Sequence, residues 1–418
     1  MSMGKRRVVI TGLGIMSSIG NSYTAVKESL IAGRSGVERV DEWEKLGIGS
    51  QVAGIIKDVD SLESALNLPT RKRNQLYGAS RYCIISAQQA VADAGLKAEE
   101  LEQNGTGCFI GSGVSALYPV YDHSLKLYEG NLRRGSPYTV VKAMANTCSA
   151  VVADHFKIHG RSYSIAGACA ASSHNIGHAF ELIRSGQLDR ALAGGAEETG
   201  EQITSAFYSM RMALSTHFND KPQAASRPYD ANRDGFVISG GSAILVLEEL
   251  QYAISQGRKI YAELIGYGAT SDGYDIMLPE PEGKYTAQCM AMALNDAGIK
   301  PKDVDYINTH GTSTTVGDLA EVKAIRRIFN DRIPRFSSTK SMTGHAISAA
   351  GGQELIYCLA MLGDQFIAPS INIENLDSDF VDLPIVTSIT KSPLNIVMTN
   401  SFGFGGTNAV LIVKRYCD

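Results

Sequence analysis

The chain has 418 residues, which is longer than one hydrophobic core usually supports, so we expect two subdomains or a duplicated one. A hydrophobic content of 44% with only 20% charged residues is typical of a globular protein with a large core. The net charge of −4 gives no support for nucleic-acid binding, which usually requires a broad excess of Lys and Arg. No apolar stretch reaches the roughly 18 residues of a membrane span, so we expect no membrane contact.

The cysteine content indicates a reducing compartment. The seven cysteines are odd in number, contain no C-x-x-C pair and lie mostly in apolar runs, as at Cys108. The first residues have a charged start but no signal-peptide cleavage pattern. We therefore predict reduced, buried thiols and a cytoplasmic protein.

The chain alternates strand-like and helix-like stretches. Residues 7–11, 162–165 and 190–193 are predicted strands, and residues 80–94 and 170–185 are predicted helices. That alternation favours layers of helices and sheets, an α/β fold.

Two short sequence motifs occur once in each half of the chain. Residues 92–97, Ala-Asp-Ala-Gly-Leu-Lys, return at 295–300 as Asn-Asp-Ala-Gly-Ile-Lys, each with Gly where a helix stops. A glycine pair that leads into a buried apolar strand also occurs twice, at 240–247 and 405–413. Because the two repeated motifs occur in the same order in each half, we predict a duplication that buries helices between two sheets. The predicted halves are residues 1–255, with an insertion near 113–140, and residues 256–418.

Cys169 is the candidate nucleophile. It lies between a predicted strand and a predicted helix, in a run of small residues that permits a tight turn with an exposed sulfur. A helix N-terminus stabilises a thiolate and is expected to lower the thiol pKa, and the Cys169 amide would face a developing oxyanion. The alternative is a small buried Cys that packs a helix start.

Two histidines follow predicted strands in polar, Gly-flanked turns. His310 lies in Asn-Thr-His-Gly-Thr-Ser-Thr, and His345 ends Ser-Thr-Lys-Ser-Met-Thr-Gly-His, before a predicted small-residue helix at 346–352 and then Glu354. A zinc site made of these histidines and Cys169 would lack the closely spaced ligand pairs usual in such sites. We therefore predict no metal and no cofactor.

The last motif, at residues 400–408, alternates glycines with aromatic residues before an apolar strand. Such a segment can be a simple hairpin. It can also be a hinged loop whose amide and aromatic ring line a site.

These motifs together resemble the β-ketoacyl-acyl carrier protein synthases of bacterial type II fatty acid synthesis. The resemblance spans essentially the whole chain. It is carried by Ala168-Cys169-Ala170, His-Gly-Thr-Ser-Thr at 310–314, Lys-Ser-Met-Thr-Gly-His at 340–345 and Gly-Phe-Gly-Gly-Thr-Asn at 403–408. It implies a thiolase-like fold, a duplicated five-layer α/β/α/β/α arrangement, and a homodimer.

The resemblance also implies catalytic roles. Cys169 would attack an acyl-carrier-protein thioester and hold the acyl chain. His310 and His345 would promote loss of CO2 from malonyl-carrier protein and stabilise the enolate. Lys340 and Glu354 would orient the catalytic groups.

Further positions would bind substrate. The amide of Phe404 would complete the oxyanion hole with that of the nucleophile, and Phe404 would gate entry. Thr312 and Thr314 would meet the pantetheine arm, Phe402 would line the site, and Val114 would lie along the acyl pocket. Acyl carrier protein is acidic, so the surface that binds it would be basic. The candidate docking residues are Arg71, Lys72, Arg73 and Arg133.

Some positions depart from the family pattern. Thr315 stands where the family commonly has Pro, and Ser348 stands where it frequently has Gly. Ala171 stands where Thr or Ser is usual. Several stretches look most like synthase I, whereas the bulk of Val114 is closer to synthase II. The alternatives are synthase II and a polyketide ketosynthase. A thiolase would carry a second catalytic Cys late in the chain, and a chain-length factor would lack the nucleophile.

Overall fold

The computed structural model describes residues 6–114, 116–330 and 332–417. Its helices are α1 (Tyr23–Ile31), α2 (Asp41–Lys45), α3 (Val59–Ala65), α4 (Thr70–Arg73), α5 (Ala79–Ala94), α6 (Ala98–Leu101), α7 (Leu117–Tyr128), α8 (Thr139–Ala143), α9 (Thr147–Phe156), α10 (Ala171–Arg184), α11 (Glu201–Ser209), α12 (Leu250–Ser255), α13 (Lys284–Ala297), α14 (Thr315–Phe329), α15 (Lys340–Thr343) and α16 (Ala350–Asp364). Its strands are β1 (Val8–Met16), β2 (Val37–Arg39), β3 (Val52–Gly54), β4 (Thr106–Gly111), β5 (Ser162–Tyr163), β6 (Arg190–Glu197), β7 (Ile238–Ser239), β8 (Gly241–Glu249), β9 (Ala262–Ser271), β10 (Tyr306–Asn308), β11 (Arg335–Ser337), β12 (Phe366–Ile367), β13 (Thr390–Lys391), β14 (Ile396–Gly403) and β15 (Thr407–Lys414).

The main sheet repeats one topology twice. Its order is β11-β10-β14-β15-β9-β1-β8-β6-β4-β5, and the two arms meet at the antiparallel pair β1–β9. From the centre outward, each arm has two antiparallel pairings followed by two parallel ones. The repeat confirms the predicted duplication.

Helices cover both arms and fill the space between them. The central apolar cluster joins residues of both arms to α10 and α16, including Phe180 and Leu355. A second cluster packs α5 and α9 on the outer face of one arm, and a third packs α13 with α14 on the other. The layers are therefore α/β/α/β/α, as the family resemblance implies.

Paired glycines allow α5 and α13 to pack closely on the sheet. A Cβ atom at Gly14 in β1 would lie 1.8 Å from the carbonyl oxygen of Ser86 in α5. In the second half, a Cβ atom at Gly268 in β9 would lie 2.2 Å from the carbonyl oxygen of Cys289 in α13. Each helix then stops at a glycine, Gly95 or Gly298, with φ of 63° and 67°. Close packing and the helix stop are thus repeated in both halves.

Most predicted elements are present, with shifted boundaries. The predicted helices at 80–94 and 170–185 are α5 and α10, and the predicted strands are β1, β5 and β6. β1 extends to Met16 because Gly12 and Gly14 keep it in the sheet under α5. The helix predicted at 346–352 is wrong at its start. Residues 347–349 form a 3₁₀ turn, and α16 begins only at Ala350.

Across the described ranges, no helix combines the length and the apolar character that a bilayer span requires.

Candidate active site

Cys169 lies in a sharp turn between two arms of the structure. Ala168 has φ of 44°, in the left-handed region, and residues 168–170 form a 3₁₀ turn that leads into α10. The Asn175 side chain ties the start of α10 to the segment after β5, because its Nδ2 donates to the carbonyl oxygens of Ile165 and Ala171. Cys169 is buried, with only 5% of its surface exposed.

The electrostatic environment of Cys169 differs from the sequence expectation. Burial raises the pKa of the Cys169 thiol to about 12, whereas the charge of Lys340 and the amides of Phe404 and Cys169 itself act to lower it. The Lys340 charge and these two amides thus favour the thiolate. Desolvation nevertheless outweighs them, because a thiolate in an apolar surrounding loses its hydration. The resting group is a thiol.

The two histidines face each other across the end of the second arm. Their ring centroids lie 5.2 Å apart with an interplanar angle of 87°. Burial, followed by the charge of Lys340, lowers the pKa of both His310 and His345 well below the ordinary value of 6.5. Both Nδ1 atoms are buried without a hydrogen-bond partner among the described residues. The pair is therefore neutral at pH 7.

A buried carboxylate that sequence reasoning missed holds the His310 turn. Glu321 accepts hydrogen bonds from the amides of His310 and Gly311, each at 2.8 Å, and from Asn400 Nδ2 at 2.9 Å. It belongs to α14 and is 3% exposed. An acidic residue on the apolar face of an amphipathic helix is the signal that would have identified it.

Lys340 and Glu354 form an ion pair behind the histidines. Each side chain is only 2% exposed. Burial raises the pKa of Glu354 to about 7, and the Lys340 charge acts in the opposite direction. Neither residue lines the cavity described below, so the pair acts on it through its charge and through the residues it holds.

The segment at 400–408 forms the hairpin between β14 and β15. A Cβ atom at Gly403 would lie 2.9 Å from the amide nitrogen of Cys169, so only glycine brings the hairpin this close to the nucleophile. The Phe402 ring packs edge-on against His310, with centroids 5.7 Å apart, and Phe404 stacks on Phe207 at 6.2 Å. The hairpin therefore contacts both the nucleophile and one histidine.

These groups surround one cavity of about 1140 Å³. The predicted residues in its lining are Cys169, His310, His345, Thr312, Thr314, Phe402 and Phe404. The hydroxyls of Thr312 and Thr314 lie 2.9 Å apart. The volume is enough for an extended chain of several atoms, and the polar groups converge where the nucleophile lies.

Other predicted residues lie elsewhere. Val114 does not line the open cavity but packs in the apolar cluster of Cys169 and Ile347. Lys72 in α4 is half-buried and its Nζ lies 2.9 Å from Asp154 Oδ2. Its neighbours Arg71 and Arg73 share that helix, and Arg133 lies in an exposed 3₁₀ turn. The structure does not bring these basic residues into the cavity lining.

Within the described ranges, no group of three or more His, Cys, Asp or Glu side chains is arranged to hold a metal ion.

Comparisons with known proteins agree with this geometry. Residues 5–253 match the N-terminal domain of β-ketoacyl synthases, and residues 261–374 match the C-terminal domain. The chain is 48% identical over 414 residues to 3-oxoacyl-[acyl-carrier-protein] synthase 1 of Haemophilus influenzae, covering 98% of this chain and 99% of the relative. It is also 48% identical to the Escherichia coli K12 synthase 1, with 99% and 100% coverage, and 38% identical to synthase 2 of Coxiella burnetii, with 100% coverage of both.

Solved structures show the same fold. A β-ketoacyl synthase from Burkholderia phymatum superposes with a TM-score of 0.91 at 32% identity, covering 99% of this chain and 100% of that one. A type II polyketide ketosynthase solved in complex with its acyl-carrier protein gives 0.90 at 29% identity, with the same coverage. With its duplicated arms, its Cys-His-His cavity and these full-length matches, the chain belongs to the β-ketoacyl synthase family.

Proposed function

We propose that the protein is a β-ketoacyl-acyl carrier protein synthase, an acyltransferase that elongates fatty acyl chains by decarboxylative condensation with malonyl-acyl carrier protein. One observation carries the proposal. Cys169, His310 and His345 line a single cavity together with Phe404.

The first half-reaction loads the acyl chain. Cys169 Sγ attacks the carbonyl carbon of the acyl thioester, the bond to the carrier thiol breaks, and the Cys169 proton ends on the released thiol. The amides of Cys169 and Phe404 stabilise the oxyanion that forms on the way. Since burial holds the thiol protonated at rest, the Lys340 charge supports its ionisation during attack.

The second half-reaction forms the new carbon–carbon bond. Loss of CO2 from the malonyl group leaves an electron pair on the α-carbon, as an enolate. His310 and His345 are neutral because burial lowers their pKa values, so each carries one ring N–H that can donate to the enolate oxygen. The enolate carbon then attacks the acyl carbon, the bond to Cys169 Sγ breaks, and the released thiolate takes up one proton from solvent.

Surrounding residues position these groups. Lys340 and Glu354 hold the charge that acts on the histidines and on Cys169. Thr312 and Thr314 offer hydroxyls to the pantetheine arm, and their positions in the cavity lining support this role. Phe402 and Phe404 belong to the hairpin beside the nucleophile. Phe402 lines the substrate site, and Phe404 gates the entry.

Synthase I is the proposed subtype, because the synthase 1 relatives are 48% identical to this chain and the synthase 2 relatives 38%. Synthase II and a polyketide ketosynthase are the alternatives. The deciding assay offers saturated and cis-unsaturated acyl-carrier proteins of several lengths together with malonyl-carrier protein, and analyses the products by mass. Carbon–carbon bond formation with one two-carbon extension per turn is expected. Thioester hydrolysis without condensation would contradict the proposal. Repeated extension of unreduced chains would favour a polyketide ketosynthase.

Acyl carrier protein is the proposed partner, with its dock at Arg71, Lys72, Arg73 and Arg133. Arg71→Glu with Lys72→Glu should raise KM for carrier-bound substrate, and high salt should mimic this by screening. Turnover of a small acyl thioester should stay near the parental rate. Lys27→Glu, at another exposed ion pair, with Asp364 at 2.8 Å, is the matched control. Equal losses on both substrates would contradict docking at this surface.

A homodimer is also proposed. α7 exposes apolar side chains, including Val120 at 48%, Tyr121 at 49% and Tyr128 at 88%, and β5 lies at the edge of the main sheet. Light scattering should report twice the chain mass, and Tyr128→Glu should weaken association. A parent chain that stays monomeric at micromolar concentration would refute this.

We place the enzyme in the cytoplasm and divide it into halves at 1–255 and 256–418. The cysteines within the described residues are all free, and six of them are buried, which suits a reducing compartment. The repeated order of strands in the two arms supports the division.

A further inference from the structure

Ser348 occupies the same local structure in the second half that Cys169 occupies in the first. Ile347 has φ of 47°, close to the 44° of Ala168, and each residue opens a 3₁₀ turn that leads into a central helix, α16 or α10. Ser348 and Cys169 are the middle residues of these turns. Unlike Cys169, Ser348 is 0% exposed and does not line the cavity.

The Ser348 hydroxyl contacts a buried carboxyl group that the proposed reaction does not use. Its Oγ lies 2.8 Å from the carbonyl oxygen of Ala196 and 2.9 Å from Glu197 Oε2. The same carboxyl group accepts a hydrogen bond from the Gly113 amide at 2.9 Å and another from the Ser112 hydroxyl at 3.2 Å. Glu197 therefore links the turn of Ser348 to the loop after β4.

Glu197 has no ion-pair partner among the described residues. Its side chain is 0% exposed, and in the described part of the chain no Lys, Arg or His nitrogen lies within 4.0 Å of it. Burial raises the pKa of Glu197 to about 7, and the hydrogen bonds it receives offset this only in part. Each hydrogen bond to this group is therefore important for holding it in place.

The two segments that Glu197 joins both supply side chains to the wall around the nucleophile. Val114 follows Gly113, Ile347 precedes Ser348, and both pack in one apolar cluster with Cys169. The space between them is filled. A Cβ atom at Gly113 would lie 2.8 Å from Glu197 Oε2 and 3.3 Å from Ile347 Cγ2. The two segments are therefore in close contact.

We propose that Ser348 is a specificity-determining residue for the acyl group. Through Glu197, its hydroxyl fixes Val114 and Ile347 relative to each other and thereby limits the length of acyl chain that Cys169 accepts. This inference rests on the proposed function, because it assumes that Cys169 carries an acyl chain. Loss of the hydroxyl leaves the buried carboxyl group without one of its partners, so the Gly113 loop can relax and the wall can yield to longer chains.

The test measures acyl transfer from carrier protein to Cys169 by intact-protein mass, over acyl chains that lengthen in two-carbon steps. The readout is the ratio of transfer rates for the longest and a short chain, which is independent of any general loss of active enzyme. Ser348→Ala and Glu197→Leu, which removes both acceptor oxygens, should each raise this ratio about fivefold, within the range of coupling between neighbouring buried groups. The double variant should raise it no further than either single variant, because both changes break the same link.

Ser29→Ala is the matched control. Ser29 is a buried serine in α1 whose Oγ donates to the Ile19 carbonyl oxygen at 2.8 Å, outside the cavity lining, and its loss should leave the ratio unchanged. If either variant does not fold, Ser348→Gly, which also removes the hydroxyl, decides alone. An unchanged ratio in the folded variants, or additive effects in the double variant, would overturn the inference while the proposed function stands. A parent enzyme that transfers no acyl chain at all would overturn both.

Discussion

Removal of either cavity histidine should separate the two half-reactions. His310→Ala and His345→Ala each delete one neutral N–H donor to the developing enolate, while Cys169 and the Phe404 amide stay in place. We expect decarboxylation of malonyl-carrier protein to fall far more than acylation of Cys169.

The magnitude follows from the burial of the pair. A donor that acts on transition-state charge in a desolvated site contributes about 100-fold or more in rate. At 1.36 kcal/mol per factor of ten, 100-fold corresponds to about 2.7 kcal/mol. His310 is 9% exposed and His345 3%, so water has little access to replace the missing donor.

The pH dependence gives an independent check. Burial lowers the pKa of both histidines well below 6.5, so the catalytic neutral form persists as the pH falls through that value. The decarboxylation rate should therefore show no loss centred near pH 6.5.

The assay measures CO2 release from malonyl-carrier protein and, separately, the mass shift of the chain on acylation. His155→Ala, at a half-buried histidine of α9 outside the cavity lining, is the control. A histidine variant that releases CO2 at the parental rate would remove that residue from the proposed role. An acid limb near pH 6.5 that disappears in one variant would show that a charged imidazole had been populated.

Three further outcomes are expected. Incubation with an acyl-carrier protein should place the acyl group on the Cys169 peptide, and an acyl group on Cys289 instead would refute the assignment. Cys169→Ser should lose condensation, because an alkoxide is far harder to form than a thiolate. Lys340→Met leaves Glu354 buried without its cation, a change that typically costs about 3–5 kcal/mol of unfolding free energy. Since the pKa of Glu354 is already about 7 and rises further without Lys340, the carboxyl is protonated at pH 6, and denaturant unfolding should show a smaller loss there than at pH 8. An equal loss at both pH values would contradict that reasoning. Val114→Phe should shorten the longest acyl chain accepted, because an added ring overpacks the cluster around the nucleophile; an unchanged product distribution by mass would place Val114 elsewhere.

The sequence alone determined the repeated features of this protein. The helix stops at Gly95 and Gly298 and the apolar strands after glycine pairs are local patterns, and local backbone preference is enough to predict them. The duplicated topology followed from their order. Cys169, His310 and His345 were identified because their polar, small-residue turns contrast with the apolar strands before them.

The tertiary structure decided the burial, the pKa values and the hydrogen-bond partners of these residues. The thiol pKa of Cys169 depends on how much apolar structure covers it, and helix position alone predicted the opposite direction. Glu321 and Glu197 belong to the site because folding brings distant backbone amides and hydroxyls to their buried carboxyl groups. The partners of these carboxyl groups cannot be predicted from the local sequence, since hydrogen bonds between remote segments form only when the two arms and the central helices are packed together.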